Sequence, residues 1–567
     1  MKKSFALLLA LAMIIALFAG CGSSTASNAE PAASAESAAA PAESVAEEPE
    51  EEAAPADEAE PAEASEPAAE EPEEEAEPAY TLEYPLVDEP ITLTYWQAWP
   101  PFLSEISDPS DAATFDALEE MTGIHLEIIA VSTENDANDF MLRAASGDLT
   151  DLIQKGADHY TGGGDKAIED DILIDLLPLL EENMPDYWKI MSTDETFYKT
   201  VVTDQGQVPA LIGMYKDPYY TDQGMWIRQD ALDQVGKSVP TTLDELEDVL
   251  ASFQDMGMSD PLVVLSEGNC DLLTRAYEAD DHLVDGKIVS GALTNGKDVM
   301  LKLHEYYEKG FINVDFVSYN WSNTKPPQDI VYSGDAGIFN EDVISVSTYV
   351  SNATIPGYDL QPMGQIRLTP DQELNTGYIG VYAADKYTVS VSATSDYPEL
   401  ALQYMNYLYT EDGITLTNWG IEGLTYEVVN GENQFTDLIT NFEMGMQLAQ
   451  SLYINPGLPC ITDLSIQEST YTDAQKAAVP TWVAAFDSSE ETMPNTNWLT
   501  YTDEETQRYY ELYTDLNTYE EEMRLKFITG QADIEAEWDS YVSTCKSMGF
   551  DELQEITQAA VTRYLEK

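Results

Sequence analysis

Positive charge is what this chain has least of: 25 Lys and Arg stand against 105 Asp and Glu, a formal net charge of −80. A polyanion of that size repels phosphate backbones and anionic headgroups, which excludes nucleic acid and a bare anionic lipid surface as default partners. Cysteine is almost missing, with four residues in 567. Apart from Cys21, the residues Cys270, Cys460 and Cys545 are scattered without metal-ligand spacing, so no disulfide framework is expected, and a single pair among them stays open. The four histidines, His125, His159, His282 and His304, are isolated. No HExxH, GxSxG or P-loop occurs. Asp280, Asp281, Asp285 and Gly286 resemble the start of a calcium loop, but Leu283 and Ala292 stand where an EF-hand needs oxygen ligands, so a turn is expected instead. Neither a metal, a cofactor nor a catalytic residue is expected, and the abundance of acids makes any one carboxylate pair uninformative about glycoside hydrolysis.

Long apolar runs are also scarce. The one present, Phe5 to Phe18, follows Lys2 and Lys3 and ends in Ala19, Gly20 and Cys21. It is shorter than the roughly 18 to 20 residues of a spanning helix, so residues 1–21 read as a signal peptide with Cys21 as the lipid-modified new N-terminus. That puts the remainder at the outer face of the cytoplasmic membrane. Residues 22–80 are nearly all Ala, Glu, Pro and Ser, with no Lys or Arg and no aromatic before Tyr80. Such a segment cannot bury a core and repels itself, so an extended acidic tether is expected.

From Thr81 onward the chain is rich in Tyr and Trp and mixes apolar with polar positions, enough for a large core of two or more lobes. Ile91 to Trp96 alternates as a strand and leads into a loop from Gln97 through Trp99 to Phe102. A helix around Phe115 to Met121 stops at Gly123, and Ile124 to Ile129 alternates again, which together make a parallel strand–helix–strand unit. Asp139 to Ser146 reads as a helix ended by Gly147, and Asp151 to Ile153 as a short strand before a Gly-rich loop at Gly162 to Gly164. Thr242 and Glu245 form a capping box before a helix with Leu243, Leu246, Leu250 and Phe253 on one face. Asp285-Gly286 makes a hairpin turn. From Glu504 to Lys567 the chain is mostly helical, with Leu512, Leu516, Tyr519, Met523 and Phe527 at helical spacing. The fold class expected from this alternation is α/β, two-lobed, with extra C-terminal helices and no internal repeat.

The aromatics point to a ligand. A saccharide has an apolar face and a rim of hydroxyls, so its cleft combines aromatic platforms with polar hydrogen-bonders. In a parallel sheet the strand carboxyl ends face the crevice, which nominates Trp96, Gln97 and Trp99. Tyr219, Tyr220 and Trp226 fall close together, Trp321 sits in a polar loop, and Arg228 is one of few cations. Core packing competes with ligand stacking for each aromatic, and Asp230 competes with a ligand for Arg228.

Several stretches, in order, carry a resemblance: ITLTYWQAW, EEMTGIHLEII, ASGDLTDLI, GMWIRQDALDQVGKSVPTTLDELEDVL, LHEYYEKGFINVDF, SGDAGIF, DYPELALQYMNYLYTEDGITLTNWGIEGLTYEVVNG and KFITGQADIEAEWDSYV. From Ile91 to Lys567 the sequence resembles the family 1 extracellular solute-binding proteins of ABC importers, in their lipoprotein branch. The resemblance implies a class II-like periplasmic-binding-protein fold. Its first lobe would span residues 87–213 and 376–430 and its second 214–375 and 431–567, with Pro209 to Tyr220 as a hinge crossing. It also implies that Asp151 and Asp158, seven residues apart, approach sugar hydroxyls, although Lys155 stands near where relatives often carry Trp. Asn340 follows SGDAGIF where maltodextrin receptors continue to a stacking Trp. The implied function is delivery of a small polar ligand, foremost an oligosaccharide, to ABC permease subunits by a monomeric, non-catalytic receptor. A surface-anchored glycan hydrolase and a receptor for a peptide or other polar solute are the alternatives.

Overall fold

The computed structural model describes residues 80–104, 107–266, 268, 270–319, 328–374, 381–455, 457–484, 493–494 and 499–567. The expected signal peptide with Cys21, the tether up to residue 79 and Trp321 lie outside the described residues.

Two sheets organise the body. The six-stranded one runs, side by side, Ile461–Thr462, Leu211–Tyr219, Val381–Val391, Leu152–Gln154, Ile91–Trp99 and Ile124–Ser132. The four-stranded one runs Leu360–Pro362, Gln223–Arg228, Ala336–Asp342 and Asp260–Leu262. Ile91–Trp99 pairs in parallel with both Ile124–Ser132 and Leu152–Gln154, as the strand–helix–strand pattern predicts. The connecting helix, Ala113–Thr122, buries Phe115 and Leu118 and ends at Gly123, whose φ of 78° is left-handed and favours glycine.

Local expectations differ from the structure in three places. Gln97 to Trp99 is strand rather than loop, because the register with the neighbouring strand continues to the pair Trp99–Ser132, and Pro100, which lacks an N–H, then ends it. The capping box at Thr242 is half formed. Thr242 accepts from the Glu245 N–H at 3.4 Å, but the Glu245 carboxylate takes the Thr241 N–H and hydroxyl, both at 2.8 Å, one residue earlier than the motif requires. In place of a loop at Gly162 to Gly164, a short helix, Gly163–Glu169, begins.

Each sheet has its own core. Leu93, Tyr95, Leu118, Leu152, Tyr187 and Leu211 belong to the first, and Ile227, Leu250, Phe253, Leu303 and Ile338 to the second. The C-terminal helices Asp503–Ile528 and Ile534–Ser547 complete the second core with Leu516, Met523, Phe527 and Trp538. Two cores with separate sheets make the fold two-lobed and α/β. Cys270, Cys460 and Cys545 are all buried and none is bonded to another in a disulfide.

The chain crosses between sheets at Tyr220 to Asp222, between Leu211–Tyr219 and Gln223–Arg228. It returns along Val381–Val391, which pairs antiparallel with the first crossing strand at Val381–Tyr219. The stretch after Gly431, expected in the second lobe, first packs on the first sheet. Leu452 joins Trp99 and Leu103, Leu458 and Cys460 enter the first core, and Ile461 pairs with Met214. Only after Thr462 does the chain move to the second sheet, through the helix Asp473–Val483.

Candidate functional site

The crossing strand Leu211–Tyr219 starts buried and ends exposed, because its last residues leave the sheet interior and form one wall of a cleft. That cleft holds a cavity of about 520 Å³, lined by Tyr215, Tyr219, Tyr220 and Asp222 on this strand and the turn after it, and by Val343 and Ile344 of the second lobe. Asn418 closes it together with Gln450, Asn455, Asp463, Gln467, Glu468 and Tyr471 from the stretch after Gly431. Tyr215 and Tyr219 stack with ring centroids 4.7 Å apart and planes 20° apart. The pair makes an aromatic wall beside amides, the combination a pyranose or furanose ring needs.

A second cavity of about 230 Å³ shares Thr221 and Asp222 with the first and reaches Gln223, Asp271, Arg275, Asn340, Gln365 and Trp482. Its floor depends on a missing side chain. A Cβ on Gly224 would lie 2.3 Å from the Trp482 ring, so glycine alone lets that indole lie flat on the strand. Trp482 is fixed by donating to the Met225 carbonyl at 3.1 Å and by edge-on packing against Trp226 at 5.5 Å. Asn340 carries a buried Oδ1 with no hydrogen-bond partner, in the wall of this cavity.

Electrostatics across the cleft are acidic. Burial and then the nearby Asp217 and Asp463 carboxylates push the Glu468 carboxyl up from its ordinary value. Burial also acts on Asp463, but the Lys216 ammonium at 2.7 Å and Ser465 overcome it and hold that carboxyl low. Tyr219 is held protonated by burial and by Asp222, and burial with Glu468 pushes the Tyr471 hydroxyl up to about 12. Among the described residues no group of three or more His, Cys, Asp or Glu could hold a metal ion.

Of the residues nominated from sequence, Tyr219 and Tyr220 line the larger cavity and Asn340 the smaller. The other nominated residues that are described line neither. Trp96 is 1 % exposed and donates to Asp139 at 2.9 Å. Gln97 is buried beside Gly457. Trp99 is 5 % exposed, packs on Leu103 and Leu452, and donates to the Ser107 carbonyl. Asp151 accepts from the Thr94 N–H and hydroxyl and from Ser395, while Asp158 accepts from Thr388 at 2.7 Å. Trp226 is fully buried and donates to the Glu341 carbonyl. Arg228 is 2 % exposed, forks onto Asp230 at 2.7 and 2.6 Å, donates to the Gly334 carbonyl and lies over the Tyr358 ring at 4.3 Å. For Arg228 the competing structural expectation is the one that describes its surroundings.

Sequence reasoning missed Tyr215, Gln467, Glu468, Tyr471, Asp271, Arg275 and Trp482. Tyr215 was reachable, since it shares a strand face with Tyr219, whereas the rest arrive from distant chain with no local pattern.

Comparison with known proteins gives a consistent result. The family model described as "Bacterial extracellular solute-binding protein" matches residues 104–414. The fructooligosaccharide ABC transporter substrate-binding protein FusA of Streptococcus pneumoniae is 23% identical over 527 residues, covering 86% of this chain and 93% of that protein. Its structure with kestose superposes with a TM-score of 0.63 at 19% identity, over 84% of this chain and 100% of that one. An "HMO binding" ABC-transporter-associated solute-binding protein from Bifidobacterium longum infantis gives a TM-score of 0.66 at 18% identity, over 84% of this chain and 99% of that one. Lipoprotein LipO of Bacillus subtilis is 26% identical over 399 residues, covering 65% of this chain and 73% of LipO.

Proposed function

The chain belongs to the bacterial extracellular solute-binding protein family, whose members bind solutes rather than transform them, and from that premise we propose that it captures an oligosaccharide and delivers it to an ABC importer. The observation that carries this is the cleft between the two sheets, where the stacked Tyr215 and Tyr219 stand beside Asn418, Gln450, Asn455 and Gln467. Aromatic faces take the sugar's C–H face and the amides take its hydroxyls. The similarity to a fructooligosaccharide receptor over most of both chains supports the same ligand class.

The ligand-contacting set is Tyr215, Tyr219, Tyr220, Asp222 and Glu468 in the larger cavity, with Gln223, Arg275, Asn340 and Trp482 in the smaller one. Trp96, Trp99, Trp226 and Arg228 shape the lobes behind it. The lobes meet at Tyr220 to Asp222, at the strand beginning at Val381, and after Thr462, and closure about these crossings encloses the ligand. Cys21 carries the lipid that holds the receptor at the outer membrane face, residues 22–80 are its tether, and the body acts as a monomer. The Ala-Gly-Cys end of the apolar run and the similarity to a lipoprotein support the anchor.

Calorimetric titration of the purified protein with a panel of oligosaccharides, followed by chromatography of the recovered ligand after a day, tests the function. One class should bind and come back intact. Multiple-turnover cleavage, or no binding across the panel, contradicts it.

A further inference from the structure

Charge is distributed unevenly over the cleft. Among the described residues that line its two cavities, four are carboxylates, Asp222, Asp271, Asp463 and Glu468, and one is a cation, Arg275. The cation is not surplus positive charge, since its guanidinium lies 3.8 Å from Asp280. Lys216, on the crossing strand, pairs with Asp463 and leaves Asp222 and Glu468 facing the larger cavity without a cation in its lining. Burial dominates the rise of the Glu468 carboxyl, and the Asp217 and Asp463 carboxylates add a smaller share to it.

We propose that this cleft selects an uncharged oligosaccharide and rejects uronic-acid oligomers, with Asp222 and Glu468 as the selecting residues. The inference rests on the oligosaccharide reading above. A carboxylate accepts strongly from a sugar hydroxyl, and the buried Oδ1 of Asn340, which has no partner, also needs a donor. A neutral sugar supplies donors all round its rim. A uronate brings a group that only accepts, and sets it against carboxylates in a solvent-open cleft, where like charges repel and added salt weakens the repulsion.

The test titrates the full mature protein with two neutral probes, an inulin-type fructan trimer and lacto-N-tetraose, and two anionic ones, trigalacturonate and a mannuronate trimer, at about 20 mM and about 300 mM salt. The better neutral probe should bind at least tenfold tighter than either anionic probe, with the gap narrowing at high salt. In the double variant Asp222→Asn/Glu468→Gln the gap should shrink severalfold even where both affinities fall, while the unliganded protein keeps its melting temperature within a few degrees. An anionic probe that binds as tightly as the neutral ones, or a gap that the double variant leaves unchanged, overturns the selectivity while leaving the oligosaccharide reading intact. Binding of no probe of either class overturns that reading, and the selectivity with it.

Discussion

The tryptophans of the first and second sheets and the tyrosines of the strand that crosses between them offer the same chemistry and meet opposite fates. Trp96 and Trp226 are 1 % and 0 % exposed, with their indole N–H groups committed to Asp139 and to the Glu341 carbonyl. Tyr220 is 40 % exposed, and Tyr215 and Tyr219 line the cleft. What separates them is coverage rather than residue type. A strand within a sheet that carries helices on its faces buries both sides, whereas a strand that leaves one sheet for another has a stretch that neither lobe covers. An aromatic there remains available to a ligand.

The largest effect should come from breaking the buried side of this comparison. Trp226→Ala removes a ring packed against Phe339 and Trp482 and deletes the indole hydrogen bond to the Glu341 carbonyl, at a cost of about 3 to 5 kcal/mol in denaturant-monitored stability. The folded fraction should keep most of its ligand affinity. A variant that loses affinity but no stability would put Trp226 in the site.

Next comes Glu341, whose neighbour Asn340 lines the cleft. Burial pushes its carboxyl up to about 7, against hydrogen bonds from the Tyr349 hydroxyl at 2.6 Å and the Asp342 N–H at 2.9 Å. With the folded value above the ordinary 4.5, the folded state holds the extra proton, so stability is greatest at low pH and falls as pH rises through 4.5 to about 7. Glu341→Gln should remove that slope, a gain relative to the parent at pH 8 of up to about 3 kcal/mol and little change at pH 4.5. Urea unfolding of both proteins across this range checks it, and parallel curves would show that Glu341 does not titrate there.

On the exposed side, Tyr219→Ala should weaken oligosaccharide binding by about 1 to 3 kcal/mol with a melting temperature close to the parent's. A sharp fall in melting temperature would class Tyr219 with the tryptophans. The smallest effect belongs to Lys216→Ala. Its pair with Asp463 is more than half solvent-exposed on the lysine side, so stability should change by less than about 1 kcal/mol, and less still at high salt.

The same contrast explains what could be read from the chain. Period and punctuation around Ile91, Gly123, Gly147 and Asp285-Gly286 are local, and the elements they specify are present. Tyr219 and Tyr220 were legible because they sit beside the crossing. Trp99 was not, because what covers it is Leu452, which is remote in sequence. Glu468, Tyr471 and Trp482 reach the cleft only because Ile461–Thr462 adds to the first sheet next to the crossing strand before the chain moves on, and that pairing has no signature in a two-residue strand. The capping box at Thr242 shows the same limit on a smaller scale, since residue types fix that a cap forms but not which N–H the Glu245 carboxylate takes.

An intact oligosaccharide is expected between the sheets, on the crossing strand. A crystal structure with the tightest neutral oligosaccharide tests it most directly. An uncleaved sugar should lie against Tyr215, Tyr219 or Tyr220, with hydroxyls on Asp222, Glu468 or Asn340. Density elsewhere on either lobe, or a hydrolysed product in the cleft, would contradict it.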